Sequence, residues 1–406
     1  MSAQTLVALP FANRTTGKTG QANMDWIGES IAETVRDVAG EKGILTFEHE
    51  EVDQASQRLG LRSRTLLTNA SALKIGDALD AEHVLYGTFQ FVPDVDTSAP
   101  AATSQAAAGL TSAVPTTPMR GTLRITGRVI DRRHLHLSSE FTETGSLDDL
   151  LTLEAHVAWR VLTLVVPKLA PQESSFQSLR ATVRLDAEES YIRGLLATTA
   201  MDKERFLLQA TRIDAKFSHA NLALGKIHFA RKEYRQAADW LQKLPPDDPH
   251  FREATFLLGL AQFQSSDYAG AQKAFQIVAD AVPLGEVLNN LGAAQSRRGV
   301  PGAAESFRAA LSGDPSDPVY HFNLGYALWR SGDFSNAADR FRAVLDRQPD
   351  DQSATLLLGM CLRKQGPRPG DARLEALERV KTNYEERAYL QLKSLVAPPV
   401  ANGPSK

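Results

Sequence analysis

Residues 322–349 read FNLGYALWRSGDFSNAADRFRAVLDRQP, and this stretch is the best-formed copy of a unit that recurs along the second half of the chain. Its Leu-Gly pair has four counterparts, so that successive glycines lie 34, 33, 33 and 34 residues apart. The five glycines are Gly225, Gly259, Gly292, Gly325 and Gly359. Self-similarity at a nearly constant period of this length predicts a solenoid of stacked helical units.

Three further features recur with the glycine in four successive units. A small residue follows the glycine by eleven or twelve positions, a large apolar residue comes four positions later, and a proline closes the unit. In the quoted unit these residues are Ala337, Phe341 and Pro349. Small residues let two helices approach closely, the large residue fills the groove beside them, and proline cannot continue a helix. The pattern therefore predicts closely packed helix pairs.

This array resembles the tetratricopeptide repeat family, whose pattern is best matched by FNLG at 322–325, DF at 333–334 and AA at 337–338. The units that match well lie at 218–251, 252–284, 285–317 and 318–351. A degenerate unit at 185–217 precedes them, and an atypical one runs from 352 to about 384. Pro367, Pro369 and Gly370 interrupt the turn of the last unit, as expected of a capping unit.

The chain changes character near residue 170, because strand-like runs come before it and only helix-period segments come after it. We expect an α/β or α+β domain at 1–170, a linker at 171–184, and an all-α array of about five to six helix pairs at 185–393. A disordered tail is expected at 394–406. Residues 92–118 are mostly Ala, Ser, Thr and Pro, which predicts a disordered loop inserted between two strands.

Apolar periodicity gives the order of elements in the first domain. Strands are predicted near 6–11, 43–48, 84–92, 122–131 and 134–144. Helices are predicted near 25–38, 50–61, 70–79 and 147–169.

Five short stretches of the first domain resemble the TolB amino-terminal domain type, an α/β module also related to the curli-secretion CsgG fold. They are LVALPF at 6–11, NRT at 13–15, DWIGE at 25–29, AEHVLYG at 81–87 and RITGRVID at 124–131. The resemblance implies no catalytic residues. In bacteria this module often stands beside tetratricopeptide arrays, and often in envelope proteins.

Composition argues against several classes of protein. The chain has 48 acidic and 45 basic residues, and a net charge of −3 gives no support for nucleic-acid binding. Its single cysteine, Cys361, excludes an intramolecular disulfide and is expected in the core. Without an apolar run of about 18 residues or a basic secretory signal, we expect a cytoplasmic protein with no transmembrane segment. An envelope location would require an export signal upstream of Met1.

Residues 12–19, ANRTTGKT, match a relaxed phosphate-loop pattern after a predicted strand. In a phosphate loop a helix begins at the Lys-Thr pair, so that its N-terminus faces the anion. Here the next helix is expected only near Asp25. Nucleotide binding by Gly17, Lys18 and Thr19 therefore stays an alternative to a plain polar loop.

No signature of catalysis is visible in the sequence, such as a Ser-His-Asp elbow, a pair of carboxylates or a dinucleotide loop. Only His134 and His136 approach metal-ligand spacing, and on one strand they would point to the same face, where they could share a ligand or face water. We therefore expect no enzymatic activity, no cofactor and no metal.

The repeat array offers a candidate binding surface, because the first helices of such pairs line the concave face. Phe322, Tyr326 and Trp329 form one stripe there, with Arg330 beside it. Aromatic anchors with arginines suit an extended or helical peptide that carries acidic groups, although such aromatics also pack between repeats. The resemblance adds Asn290 and Asn323, which stand where this family often bonds a peptide backbone. The candidate peptide-binding residues are Phe256, Phe263, Asn290, Arg297, Phe322, Asn323, Tyr326, Trp329, Arg330 and Arg363.

These observations favour a non-enzymatic adaptor or scaffold whose solenoid binds a protein or peptide partner. A nucleotide-sensing protein and a bacterial envelope assembly factor are the alternatives. A homo-oligomer formed through the first domain is also left open.

Overall fold

The computed structural model describes residues 4–15, 24–61, 65–93, 121–170, 172–173, 183–368, 370–371, 373–386 and 388–389. The chain divides into two compact units, the first ending at Asp214 and the second beginning at Ala215. The predicted loop at 92–118, apart from its first two residues, and the predicted tail at 394–406 lie outside the described residues, as do Gly17, Lys18 and Thr19.

The first unit contains a mixed β-sheet. Its strands are β1 (Thr5–Ala8), β2 (Ala12–Asn13), β3 (Leu45–Thr46), β4 (His83–Pro93), β5 (Gly121–Asp131), β6 (His136–Leu137) and β7 (Phe141–Ser146). The order is β3-β1-β4-β5-β6, with β2 also paired to β4 and β7 also paired to β5. β1 runs parallel to β3 and β4, whereas β4 and β5 form a long antiparallel pair. Strands and helices are thus mixed in this unit, as the sequence predicts.

The predicted strand at 134–144 is two strands, and this corrects the expectation for the histidines. His134 lies in the turn before β6, where its Nδ1 is 2.7 Å from Asp131 Oδ2. Leu135 closes that turn with a φ of 50°. His134 and His136 therefore do not lie on one strand face.

Six helices complete the first unit. They are α1 (Asp25–Glu41), α2 (His49–Arg58), α3 (Asn69–Ala78), α4 (Leu150–Val165), α5 (Leu185–Leu195) and α6 (Ala200–Ile213). α1 begins at the predicted Asp25, and it packs against α4 and α5. The helix pair α5 and α6, predicted as a degenerate repeat, is part of this first compact unit.

A buried cluster of charges joins α1, α2 and α5. Arg36 Nη2 lies 2.5 Å from both Glu29 Oε1 and Glu33 Oε2. His49 Nδ1 lies 3.0 Å from the same oxygen of Glu29, and the Tyr191 hydroxyl donates to Glu33 at 3.1 Å. Charged groups this deep require partners, and here each charge has one.

The cluster shifts two pKa values in opposite directions. Burial alone would raise the pKa of Glu29, but the Arg36 charge and the His49 hydrogen bond outweigh it and lower this pKa to about 2. Burial alone would lower the pKa of His49, but Glu29 and Asp53 raise it above 6.5. Glu29 thus stabilises the fold above pH 4.5 and loses that contribution as the pH falls toward 2. His49 contributes most below pH 6.5, and its contribution declines as the pH rises through its raised pKa.

We therefore predict that His49→Gln destabilises the first unit in a pH-dependent way. The loss should be about 1–3 kcal/mol near pH 5.5 and much smaller near pH 8.5, because only protonated His49 pairs with Glu29 as a charge. Hydrogen exchange of α1 peptides measures it. His136→Gln, at an exposed histidine of β6, is the control. A pH-independent loss in His49→Gln would contradict the assigned charge pairing.

The second unit is made of helix pairs. Its helices are α7 (Ser218–Ala230), α8 (Tyr234–Leu241), α9 (Phe251–Gln264), α10 (Tyr268–Ala281), α11 (Gly285–Arg298), α12 (Ala303–Gly313), α13 (Pro318–Ser331), α14 (Phe334–Leu345) and α15 (Gln352–Leu362). Aspartates cap several of them, as where the Asp317 side chain accepts from the Val319 amide at 2.8 Å. Among the described residues no helix is long and apolar enough to cross a membrane.

The repeated glycines lie where the two helices of a pair meet. A β-carbon on Gly259 would come within 2.7 Å of the Phe275 ring, and one on Gly292 within 2.8 Å of the Phe307 ring. Gly359 differs, since its nearest neighbour would be Arg363 at 3.5 Å. The close approach inferred from the sequence is therefore confirmed in the pairs but is missing at α15.

The last unit departs from the helix-pair pattern. α15 ends at Leu362, and Lys364 then adopts a φ of 54°. Pro367 follows, which lacks the N–H that a helix needs. Among the described residues from 363 to 385 none is helical, so the helix expected as the partner of α15 does not form in that stretch. Cys361 is buried on α15 as expected, and burial raises its pKa to about 11.

Two glycine substitutions should separate close packing from helix propensity. Gly259→Ala should lower the free energy of unfolding by about 1–3 kcal/mol, because the buried Phe275 ring must move. Gly359→Ala should leave it unchanged or raise it by up to about 1 kcal/mol, since alanine favours the helix and has room there. Urea unfolding followed by circular dichroism measures both. Equal destabilisation by the two changes would contradict this reading of the repeat.

Candidate functional site: a peptide-like segment in the repeat groove

One side of α9, α11 and α13 forms a groove, and residues 374–386 of the same chain lie in it. We call these residues the C-terminal segment. The segment contacts the groove through backbone amides, charged side chains and aromatic rings. The segment bends at 374–376, where Ala376 has a φ of 60°, and residues 377–385 then run through the groove without helical structure.

Two asparagines bind the backbone of the C-terminal segment. Asn323 Nδ2 donates to the Arg379 carbonyl at 2.7 Å, and its Oδ1 accepts from the Arg379 amide at 2.8 Å. Asn290 does the same with Lys381, at 2.7 and 2.8 Å. The asparagine side chain has an NH2 group that donates and an oxygen that accepts. Each asparagine can therefore bond both the carbonyl and the amide of one residue of the segment. Arg379 and Lys381 are two positions apart, and alternate residues of an extended chain face the same way.

Asn289 supports this arrangement from within the groove. Its Oδ1 accepts from Asn323 Nδ2 at 2.7 Å, and its Nδ2 donates to the Arg379 carbonyl at 2.9 Å. All three asparagines have no exposed surface. This burial is that of the groove with the C-terminal segment in place, and the backbone of the segment supplies hydrogen-bond partners to each of the three.

A buried carboxylate holds the next position of the segment. Glu378 accepts from the Ser296 hydroxyl at 2.6 Å, and its Oε2 lies 2.6 Å from Arg297 Nε in an ion pair. Arg330 Nη1 lies 3.5 Å from the other oxygen. Arg297 also donates to the Ala376 carbonyl at 2.7 Å. Two arginines and a hydroxyl thus surround one glutamate.

Aromatic side chains hold the two ends of the segment. The Tyr326 hydroxyl donates to the Leu374 carbonyl at 2.8 Å. At the other end Tyr384 stacks on Phe256, with ring centroids 4.9 Å apart and an interplanar angle of 27°. Contacts thus extend along the whole segment.

Basic side chains next to Glu378 reach acidic partners. The Arg379 guanidinium lies over the Phe322 ring at 3.5 Å and pairs with Asp351 at 2.6 Å. Lys381 Nζ lies 2.5 Å from Asp317. The groove therefore places negative charge beside the positions that follow Glu378, which the sequence did not lead us to expect.

The structure brings most of the candidate residues together. Those in contact with the C-terminal segment are Phe256, Asn290, Arg297, Phe322, Asn323, Tyr326 and Arg330. Phe263 lies under the Arg297 guanidinium, and Trp329 Nε1 donates to the Gln365 carbonyl at 2.8 Å. Arg363 is exposed and bonds only to Gln365 among the described contacts, so it stands apart.

Sequence reasoning missed the segment itself, because it assigned these residues to a capping repeat unit. Leu374, Leu377, Val380 and Tyr384 recur at helical spacing, so the apolar pattern favoured a helix here. Only the β-branched Val380 and Thr382 favoured an extended chain. Nothing in the sequence indicated where that chain would lie.

Comparison with known proteins agrees with this architecture. The tetratricopeptide repeat family profile matches residues 256–318 and 322–388. The chain carries tetratricopeptide repeats. Among curated proteins, none is similar in sequence.

Several solved structures of repeat proteins are similar to part of the chain. YrrB, described as a TPR protein with an unusual peptide-binding site, is 18% identical with a TM-score of 0.39, over 44% of this chain and 92% of its own. MamA from Desulfovibrio magneticus RS-1 is 20% identical with a TM-score of 0.38, over 42% of this chain and 99% of its own.

We predict that Asn323→Ala loosens the C-terminal segment. Loss of the paired backbone bonds should raise the rate of tryptic cleavage after Arg379 and Lys381 about tenfold, because proteolysis follows the population of the released segment. Mass spectrometry of timed digests measures the rate. Asn336→Ala, at an exposed asparagine of α14, is the matched control. Equal cleavage of the two variants would mean that the asparagine does not hold the segment.

Proposed function

We propose that this protein is a non-enzymatic adaptor whose tetratricopeptide groove binds an extended segment of a partner protein. The observation that carries the proposal is the pairing of Asn290 and Asn323 with both backbone groups of alternate residues. Such pairing supports affinity for any extended chain, much as an added strand is held at a sheet edge. The side chains around the two asparagines would then select among the sequences of possible partner segments.

The charges of the groove support a partner segment of mixed charge. Arg297 and Arg330 suit one acidic side chain. Asp317 and Asp351 suit basic side chains on the positions that follow. A partner that is acidic throughout fits this arrangement less well than one with a single glutamate or aspartate before a basic pair.

For the first unit we propose the TolB-like module that its sequence resembles. Four of the stretches that carry the resemblance fall on β1, the start of α1, β4 and β5 of one sheet-and-helix unit. A module of that type without catalytic residues is compatible with an adaptor.

Peptide selection on the full-length chain tests the proposed function. A displayed library of random twelve-residue peptides is selected on the wild-type protein, and the recovered peptides are synthesised. With a saturating peptide, the amides of Arg379 and Lys381 should exchange at least about tenfold faster, because the peptide replaces them on the asparagines. Hydrogen exchange with mass spectrometry follows these amides together with those of α11 and α13.

A scrambled peptide of the same composition is the control, and it should leave the exchange unchanged. If the selected peptides bind but residues 374–386 keep their protection, the binding site lies elsewhere and the proposed groove is wrong. If no peptide can be selected on the wild-type protein or on a Glu378→Ala protein, in which the chain's own segment lacks its buried carboxylate, the adaptor role of this surface is also contradicted.

A further inference from the structure

The C-terminal segment is a part of this chain, and it uses the same atoms that a partner would need. Asn290 and Asn323 each give their amide donor and their carbonyl oxygen to the segment. Glu378 holds Arg297, Arg330 and Ser296. A partner segment and the C-terminal segment therefore exclude one another.

We propose that residues 374–386 are an intramolecular ligand that closes the groove, and that their register is the template for the partner segment. The partner would carry an acidic residue in place of Glu378. The residues one and three positions later would bond Asn323 and Asn290 through their backbone amides and carbonyls, and an aromatic residue would stand six positions after the acidic one. Apolar residues would stand one and four positions before the acidic one. This inference rests on the proposed peptide-binding role of the groove.

The acidic position is the most restrictive of the template. The Glu378 side chain has no exposed surface, and its ion pairs lie inside the groove. An uncharged residue there would leave Arg297, whose side chain is only 20% exposed, without its counter-charge. Arg330, which is 42% exposed, depends on it less. Leu374, four positions earlier, is likewise buried, and the partly buried Leu377 packs against the core of the repeats.

The aromatic position is fixed by stacking on Phe256. Tyr384 also donates its hydroxyl to Glu386 at 2.7 Å, and Glu386 in turn accepts from Arg252 at 2.5 Å. The Glu385 amide donates to Glu286 Oε1 at 2.9 Å. This end therefore adds a second anchor, separate from the one at Glu378.

The tether makes the C-terminal segment a strong competitor. Only a short stretch separates the end of α15 at Leu362 from Leu374, and a short tether gives an effective concentration on the order of 1 mM. A partner must compete with that concentration, so the apparent affinity of the groove is lower than its intrinsic affinity by the fraction of molecules that are open. Release of the segment would then act as the step that permits binding.

Binding of the segment as a free peptide tests the inference. The probe is a fluorescently labelled synthetic peptide of residues 374–386, LEALERVKTNYEE, and its binding is followed by anisotropy on full-length protein. Glu378→Ala in the protein should raise its affinity for the peptide at least about tenfold over wild type, because the tethered competitor is weakened and the groove is intact. Glu375→Ala, which removes an equal charge at an exposed position of the segment, should bind the peptide as wild type does.

A second variant that weakens the hold of the groove on the segment is needed in case Glu378→Ala fails to fold. Tyr384→Ala removes the anchor at the other end of the segment and should also raise the peptide affinity. A peptide with alanine in place of Glu378 should bind the Glu378→Ala protein at least about tenfold more weakly than the native peptide, since the arginines then lack a partner.

The remaining outcomes overturn the inference. Equal peptide affinity for wild type, Glu378→Ala and Tyr384→Ala would show that the segment does not close the groove, while peptides selected as described above would still establish the adaptor role. No binding of the native peptide to a natively folded Glu378→Ala protein would show that the segment is no template. If light scattering finds a wild-type dimer that Glu378→Ala converts to a monomer, the segment occupies the groove of a second copy rather than its own.

Discussion

The close contact of a glycine with an aromatic or leucine side chain in each helix pair is the constraint on which the repeat unit depends. Where Gly259 meets Phe275 and Gly292 meets Phe307, there is no room for a further carbon atom. This contact sets the distance between the helices, and its recurrence every 33 or 34 residues sets the register of one pair on the next. Because the register is fixed, Asn290 and Asn323 occupy equivalent places on successive helices and can bind alternate residues of one strand.

The groove has a chemical requirement of its own. Asn289, Asn290 and Asn323 are completely buried, and buried amides need hydrogen-bond partners. Helix packing alone does not supply them, since the side chains point away from the backbones of their own helices toward the segment. A polypeptide backbone satisfies them, and in this chain it is the protein's own. The same need for partners explains how Glu378 is buried beside two arginines.

The first unit meets a similar requirement with charges alone. Arg36 lies between two glutamates of its own helix, and His49 from α2 completes the shell of Glu29. Breaking such a cluster leaves an uncompensated buried charge, so its stabilising effect depends on all members being present and correctly protonated. It ties α1, α2 and α5 together through polar side chains.

The sequence by itself determined the helix pairs, their period and the helix face on which Phe322, Asn323, Tyr326 and Arg330 lie. Those features are local, because a period of 33 or 34 and the spacing of residues on one helix are written in the order of residue types. It also gave the order of most strands and helices in the first unit, but it missed β2 and the division of 134–144 into two strands, and it assigned α5 and α6 to the repeat array. Only the tertiary structure decided what fills the groove. Asn290 and Lys381 are 91 residues apart, and the asparagine binds main-chain atoms that every residue possesses. Main-chain atoms leave no signal in the sequence, and the side-chain contacts of Glu378 and Tyr384 join residues that are far apart in the chain. The segment and its groove could therefore be joined only in three dimensions.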